Sequence, residues 1–217
     1  MVYYVASAGG DLIRMDAVQG AGTSLMHDFA ITENHVVWLD LPVVFDPSEG
    51  SGIPYSWSDD YAPRIGVMPR TGEAVPRWFD VSPAALLHVT NAFEDPAGRV
   101  VLDGPRYDRA SWESSWKWWT GAPGHPAVPV TGAVSSRWTL DPSTGKAAEE
   151  TLDDLVTEFP TINGYLLTII SDVGRDASEL LVLDARDLSA PAVAAVELPR
   201  RVPSGIHGAW IPDAGVS

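Results

Sequence analysis

Short runs of apolar and β-branched residues, separated by turn residues, dominate the hydrophobic pattern of this chain. The runs span 36–39, 42–45, 64–68, 86–93, 100–102, 165–170, 180–183 and 193–198. Turn-forming clusters such as Asp95-Pro96-Ala97-Gly98 and Asp141-Pro142-Ser143-Thr144-Gly145 lie between them. No window has a long apolar period of 3.6 residues, so the pattern predicts an all-β chain of many short strands.

Two segments share one layout, in which an apolar strand ends in Asp and a polar turn leads to a return strand. One runs from Arg137 to Leu152 and the other from Leu181 to Leu198. Repeated hairpins of this kind favour a propeller over a sandwich or a barrel. The 19 Gly and 18 Pro residues are spread along the chain, and no linker stands out. We therefore predict one domain over 1–217.

Composition excludes several classes of partner and of metal site. The net charge of −15 argues against binding to a phosphate backbone and against docking on anionic lipid by charge alone. There is no cysteine, so any metal must be bound through nitrogen and oxygen ligands. No apolar run approaches the ~20 residues of a membrane helix, and the first residues lack the pattern of a signal peptide. A cytoplasmic location is the expectation.

Three of the five histidines lie at the border of apolar sequence beside a small or polar residue. These are His27, His88 and His207, which follow one another at spacings of 61 and 119 residues. Taken singly, each is better explained as a packed or solvent-facing histidine than as a metal ligand. A propeller would bring them together, because the inner strands of its blades point at one channel. His125 is predicted to lie in a loop, and His35 to mark the edge of a strand.

Two further features have alternative interpretations. Glu158 is followed by Phe159 and Pro160, and one interpretation is that it orients a metal-bound histidine. Taken alone, it is better explained as a solvated loop acid that continues the acidic run of Asp153 and Asp154. Trp112, Trp116, Trp118 and Trp119 fall within eight residues. They are interpreted first as an aromatic core under a loop, and second as the wall of an apolar substrate site.

With these residues in view, the chain resembles the carotenoid cleavage oxygenase family, which includes the lignostilbene-cleaving enzymes. The order and spacing of the matching strings extend over nearly the whole chain. They are MHDFAITE at 26–33, LPVVFD at 41–46, RIGVMPR at 64–70, LHVTNAFE at 87–94, EFP at 158–160, SEL at 178–180 and VPSGIHGAW at 202–210.

The resemblance implies a seven-bladed propeller with a non-haem Fe(II) held on its axis by four histidines. His27, His88 and His207 match three of these ligands, and Glu158 matches the glutamate that orients the ligand corresponding to His88. The fourth histidine and the glutamate that supports the His27 position lie upstream of Met1 in the family. Only residues 161–164 separate two strings that the family keeps far apart. At about 40–45 residues per blade, 217 residues form about five blades, so we expect a partial β-propeller.

The function implied is oxidative cleavage of a conjugated C=C bond in a carotenoid, an apocarotenoid or a stilbene by O₂, giving two carbonyl products. No catalytic side chain is expected beyond the metal site. The expected partners are an apolar polyene or stilbene and O₂, with peripheral membrane contact for substrate extraction and no nucleic acid. The expected shortening predicts a truncated chain that binds iron weakly, and it leaves open whether the chain is active or inactive. The alternatives are a non-catalytic propeller fragment or gene remnant, and a propeller with a hydrolytic zinc site.

Overall fold

The computed structural model describes residues 1–49, 53–121, 132–156, 161–162, 165–172, 174–184 and 190–202. The chain separates into two compact units, Met1–Val156 and Thr157–Ser217. Regular structure in the described residues is almost entirely antiparallel strand, which confirms the predicted all-β class. None of the helices found there is long and apolar enough to cross a membrane. One domain over 1–217 stays a prediction.

The strands of the first unit pair mostly with their neighbours along the chain. β1 (Val2–Ala6) and β2 (Leu12–Ala17) form a hairpin. The first four-stranded sheet contains β3 (Ala30–Ile31) and β4 (His35–Asp40). The other two strands of this sheet are β7 (Arg64–Pro69) and β8 (Arg77–Asp80). Between β4 and β7 along the chain, β5 (Val43–Phe45) and β6 (Tyr55–Trp57) form a separate hairpin. The second four-stranded sheet contains β9 (Asn91–Glu94), β10 (Val100–Arg106), β11 (Val134–Asp141) and β12 (Lys146–Val156).

Strand β4 is buried on both faces and separates two core clusters. Val36 and Trp38 pack towards the β1–β2 hairpin. Val37 and Leu39 pack towards the second sheet, in a core that also contains Trp138. β4 thus lies in the middle of three layers, between the β1–β2 hairpin and the second sheet. Because successive side chains of a strand point to opposite faces, both faces of β4 must be apolar. The run at 36–39 is therefore apolar at every position.

The tryptophan-rich segment forms the helix α1 (Arg109–Thr120), which the hydrophobic pattern did not predict. Asp108 caps its N-terminus by accepting the Ser111 N–H at 2.8 Å. At the other end Gly121 has a φ of 66° and donates its N–H to the last turn. Trp112, Trp116 and Trp119 lie one turn apart and pack against Tyr107 and the β5–β6 hairpin. This packing confirms the interpretation of these residues as an aromatic core.

Each four-stranded sheet of the first unit contains a buried aspartate paired with an arginine directly across the strands. In the first sheet Asp40 on β4 faces Arg64 on β7, and in the second Asp103 on β10 faces Arg137 on β11. Arg64 Nη2 lies 2.6 Å and Arg137 Nε 2.7 Å from the carboxylate. Both pairs therefore join the second and third strands of their sheets.

Gly66 on β7 is a position where the fold has no space for a side chain. A Cβ atom there would lie 2.7 Å from a ring carbon of Trp78. Arg64 stacks 4.4 Å from the centre of the same ring and limits its movement. We therefore expect Gly66→Ala to lower the free energy of unfolding by about 1–3 kcal/mol, measured from the midpoint of urea denaturation. Gly9→Ala, whose Cβ would have only ordinary contacts, is the control. Equal stability of the two variants would contradict the prediction.

The second unit contains one four-stranded antiparallel sheet. Its strands are β13 (Thr161–Ile162), β14 (Tyr165–Asp172), β15 (Ala177–Asp184) and β16 (Ala194–Glu197), in chain order. β15 pairs with β16 in the register Leu181↔Ala195, as the second repeated hairpin predicted. The same strand order in three sheets is the arrangement expected of propeller blades.

Candidate metal centre

His27 lies between two short elements that hold its backbone on either side. Ser24 forms an isolated bridge to Val44, and the Leu25 N–H donates to Val43 at 2.6 Å. Three residues after His27 the chain enters β3 at Ala30. The side chain of His27 is exposed. The border of apolar sequence at His27 thus corresponds to the start of a strand.

His88 has the same local layout one sheet later. Ala85 forms an isolated bridge to Tyr107, three residues before His88, and β9 begins at Asn91, three residues after it. The Thr90 N–H donates to the Asp103 carbonyl at 2.8 Å. In contrast to His27, His88 is only 6% exposed. The strand predicted over 86–93 therefore begins at Asn91, five residues later than predicted, and His88 lies in the irregular segment before it.

Gly104 on β10 lets the His88 segment lie close against the second sheet. A Cβ at this position would be 2.9 Å from Leu86 Cδ2 and 3.2 Å from the His88 carbonyl oxygen. A larger residue would push on the backbone that carries the histidine. Gly104 is a supporting residue that the sequence analysis missed, because the spacing of glycines alone does not show what approaches them.

The rings of His27 and His88 lie together, with centroids 5.2 Å apart and planes at 90°. A metal ion lies about 2 Å from an imidazole nitrogen that binds it, and so about 3 Å from the ring centre. Two imidazoles in neighbouring positions on one ion are therefore roughly 5 Å apart at their centres. The separation of the two ring centres matches this spacing. Nitrogen donors of this kind suit a non-haem iron.

The carboxylate of Asp28 joins the two histidine segments. Its Oδ2 accepts the N–H of Val89 and its Oδ1 accepts the N–H of Phe29, both at 2.8 Å. The sequence showed an acid beside His27 but gave no sign of its partner, which lies 61 residues further along the chain.

The remaining predicted site residues, His207 and Glu158, lie outside the described residues. The same holds for His125, which the sequence predicts to lie in a loop. Within the described ranges no group of three or more His, Asp or Glu side chains could hold a metal ion. His35 opens β4, which confirms the prediction that it marks a strand edge.

His35 belongs to a second network, centred on Glu94 at the end of β9. The Glu94 carboxylate accepts hydrogen bonds from Thr32 Oγ1 at 2.5 Å and from the Asn34 N–H at 2.7 Å, and it contacts His35 Nδ1 at 3.0 Å. Burial alone would raise the pKa of Glu94, but these hydrogen bonds outweigh it and lower the pKa to about 2. Glu94 therefore links the first and second sheets as a carboxylate.

This network predicts an acid-dependent loss of stability. Because the folded pKa lies below the usual value near 4.5, the stabilisation is complete above pH 5 and disappears as the pH falls from about 4.5 to about 2. We expect Glu94 to contribute up to about 3 kcal/mol at neutral pH. Urea denaturation of the wild-type chain and of Glu94→Gln between pH 6 and pH 2 measures this. The two stabilities should converge at the acid end, and a constant difference would contradict the assignment.

The chain is similar to known proteins over nearly its whole length. A family model described as retinal pigment epithelial membrane protein matches residues 1–164 and 163–212. The chain belongs to this family. The two matched segments of the family model meet at residues 163–164, where the sequence analysis expects an internal gap.

Curated relatives of the family include carotenoid oxygenases from bacteria and plants. The carotenoid cleavage oxygenase of Mycobacterium tuberculosis is 27% identical, with 97% of this chain and 62% of that protein aligned. The carotenoid 9,10(9',10')-cleavage dioxygenase of Crocus sativus is 24% identical, with 98% of this chain and 53% of that protein aligned. These matches confirm the resemblance to carotenoid cleavage oxygenases. The chain spans about half to three-fifths of the length of these relatives.

Solved structures of the family have the same fold as this chain. A cobalt-substituted Synechocystis apocarotenoid oxygenase matches with a TM-score of 0.67 at 20% identity, covering 96% of this chain and 57% of that one. A chimera of this oxygenase with the retinal pigment epithelial protein matches with a TM-score of 0.65 at 19% identity, covering 96% and 57%. The matches confirm the fold class, a partial β-propeller of the carotenoid oxygenase type.

Proposed function

We propose that this chain carries part of the iron centre of a dioxygenase that cleaves a conjugated C=C bond in a carotenoid, an apocarotenoid or a stilbene. The observation that carries the proposal is the pair formed by His27 and His88, whose rings meet at the spacing of neighbouring ligands. The two residues lie in two of the strings through which the chain resembles the oxygenase family. O₂ and the polyene are the substrates, and two carbonyl compounds are the products.

The proposed ligand set consists of His27, His88 and His207, with Glu158 orienting His88. Fe(II), when bound, supplies the activation of O₂ that the cleavage needs. The side chains of the protein hold the ion and leave coordination positions open, and none is required to donate or remove a proton. His88 is buried and His27 is exposed, so we propose that substrate approaches from the side of His27. Because a polyene offers few hydrogen bonds, the approach would be apolar and would include peripheral contact with the membrane that dissolves it.

A non-catalytic propeller fragment is the second candidate, and the length of the alignments favours it. The alignment with the Mycobacterium tuberculosis protein extends over 325 positions, although this chain has 217 residues. More than 100 positions of that alignment therefore have no residue in this chain. A centre assembled from fewer strands would bind iron more weakly, since each lost supporting group costs about 10–100-fold in affinity.

A cleavage assay on the purified chain separates the two candidates. The chain is loaded with Fe(II) without oxygen, its iron content is measured, and a carotenoid, an apocarotenoid and a stilbene are then supplied with ¹⁸O₂. Oxygenase activity predicts carbonyl products that carry the label, detected by mass spectrometry. If the chain binds about one iron ion but gives no product from any of the three substrates, the proposed activity is contradicted. Absence of both iron and products would favour the non-catalytic fragment.

Two single variants show whether any activity depends on the histidine pair. His88→Ala removes one ring of the pair, whereas His35→Ala removes a histidine that contacts Glu94 instead. We expect activity to disappear in the first variant and to persist in the second. Equal loss in both would indicate that the substitutions act through folding and would count against the proposed centre.

A further inference from the structure

We infer that Asp28 is a positioning residue for both histidines of the pair, an inference that rests on the proposed metal centre. Asp28 directly follows His27, and Val89 directly follows His88. The carboxylate accepts the Val89 N–H through Oδ2 and the Phe29 N–H through Oδ1. One side chain thus fixes the backbone next to each of the two rings. We call these two hydrogen bonds the Asp28 clasp.

The need for such a clasp follows from where the histidines lie. Each comes three residues after an isolated bridge and three residues before a regular strand. Each segment is therefore anchored by an isolated bridge on one side and by a sheet strand on the other, and His27 and His88 lie between these anchored points. The rings also come from two different sheets, so their mutual distance depends on how those sheets are joined. The Asp28 clasp joins them directly beside the rings.

Glu94 offers a matched comparison on the same two sheets. Its carboxylate also links them, through Thr32 and Asn34 on the first sheet. It differs in position, because its partners are not adjacent to either histidine of the pair. Loss of Glu94 should therefore destabilise the fold without changing the distance between the rings. Loss of Asp28 should change that distance.

The first experiment needs no metal. Metal-free wild-type chain and the variants Asp28→Ala, Asp28→Asn and Glu94→Gln are labelled for NMR, and the nuclear Overhauser effect between the ring protons of His27 and His88 is measured. We expect this effect to be lost in Asp28→Ala and kept in Glu94→Gln. Asp28→Asn should show a reduced effect. An Asn amide has one acceptor oxygen where the carboxylate has two, so it can replace only one of the two hydrogen bonds. An unchanged effect in Asp28→Ala would overturn the inference.

The second experiment measures Co(II) binding by its visible absorption, which reports the geometry around the ion. We expect Asp28→Ala to bind Co(II) about 10–100-fold more weakly than the wild-type chain, with a shifted spectrum. Glu94→Gln should stay within about threefold of the wild-type affinity and keep its spectrum. Equal weakening in both variants would show a structural role only and would overturn the inference. If the wild-type chain binds no Co(II), the proposed metal centre fails, while the ring-proton measurement still decides the role of Asp28.

Discussion

Replacing Arg64 with methionine is expected to lower the free energy of unfolding by about 3–5 kcal/mol, because it leaves the buried Asp40 carboxylate without its cation. Asp40 is completely buried in the middle layer of the first unit. Arg64 contacts Asp40 Oδ2 through Nη2 at 2.6 Å and through Nε at 3.0 Å. It also donates to the Gly20 carbonyl at 2.6 Å. Urea denaturation at neutral pH measures the loss.

The hydrogen bond from Tyr61 to Asp40 does not compensate for that loss. Tyr61 donates its hydroxyl to Asp40 Oδ1 at 2.5 Å. Burial, the hydrogen bond and the negative charge of Asp40 together raise the pKa of Tyr61 to about 12, so this residue stays a neutral donor. One neutral hydrogen bond stabilises a buried carboxylate less than a guanidinium does.

Two further variants show whether the unpaired charge is the cause. The double variant Asp40→Asn/Arg64→Met removes both charges, and we expect it to recover most of the stability. Arg109→Met breaks contacts with Asp59 and Glu113 on the surface, where all three side chains are exposed. It should cost about 1 kcal/mol at most. A loss below 1 kcal/mol for Arg64→Met would contradict the prediction, and so would a double variant no more stable than the single one.

The strands were predictable from the sequence wherever burial decided their pattern. The run at 36–39 and the run at 64–68 became β4 and β7 within one residue at each end. Both are apolar because they are covered on both faces, and no long-range information is needed to see this. β1 and β2 were missed, since several of their residues remain exposed and their pattern is weak. Leu12, Ile13 and Met15 of β2, for example, are each more than half exposed.

The helix was missed for a different reason. Trp112, Trp116 and Trp119 follow the 3.6-residue period, but serines and a lysine separate them, and the segment is too short for a strong pattern. Asp108 and Gly121 were nevertheless visible as capping residues at the two ends. Attention to caps as well as to hydrophobicity would have found α1.

Of the candidate centre, the sequence singled out two histidines that lie together, but not the contacts that hold them. His27 and His88 were singled out by their apolar borders and then by the family strings, and the structure brings their rings together. The placement of Asp28 depends on a hydrogen bond across 61 residues, and the role of Gly104 depends on an approach by the His88 segment. The first contact joins the two sheets, and the second joins β10 to the segment that leads into its neighbour β9. A pattern read along one strand does not contain them.

The largest effect on metal binding is expected from His27→Ala and His88→Ala. Each should weaken Co(II) or Fe(II) binding by at least about 100-fold, since loss of a group that only supports a ligand already costs about 10–100-fold. Because the two rings would bind one ion, their effects should not be additive. The loss of binding free energy in the double variant should be much smaller than the sum of the losses in the two single variants. Titration of the metal-free chain, followed by isothermal calorimetry, measures the affinities.

The two histidines differ in burial, so their variants distinguish an effect on metal binding from an effect on folding. His27 is exposed, so His27→Ala should leave the stability of the metal-free chain within about 0.5 kcal/mol of the wild type. His88 is 6% exposed, and its replacement should cost stability as well as affinity. His35→Ala serves as the control, since it disturbs the Glu94 network and leaves the pair intact. Wild-type affinity in His27→Ala would mean that the pair does not share an ion. The perpendicular rings would then be only an aromatic contact between two sheets.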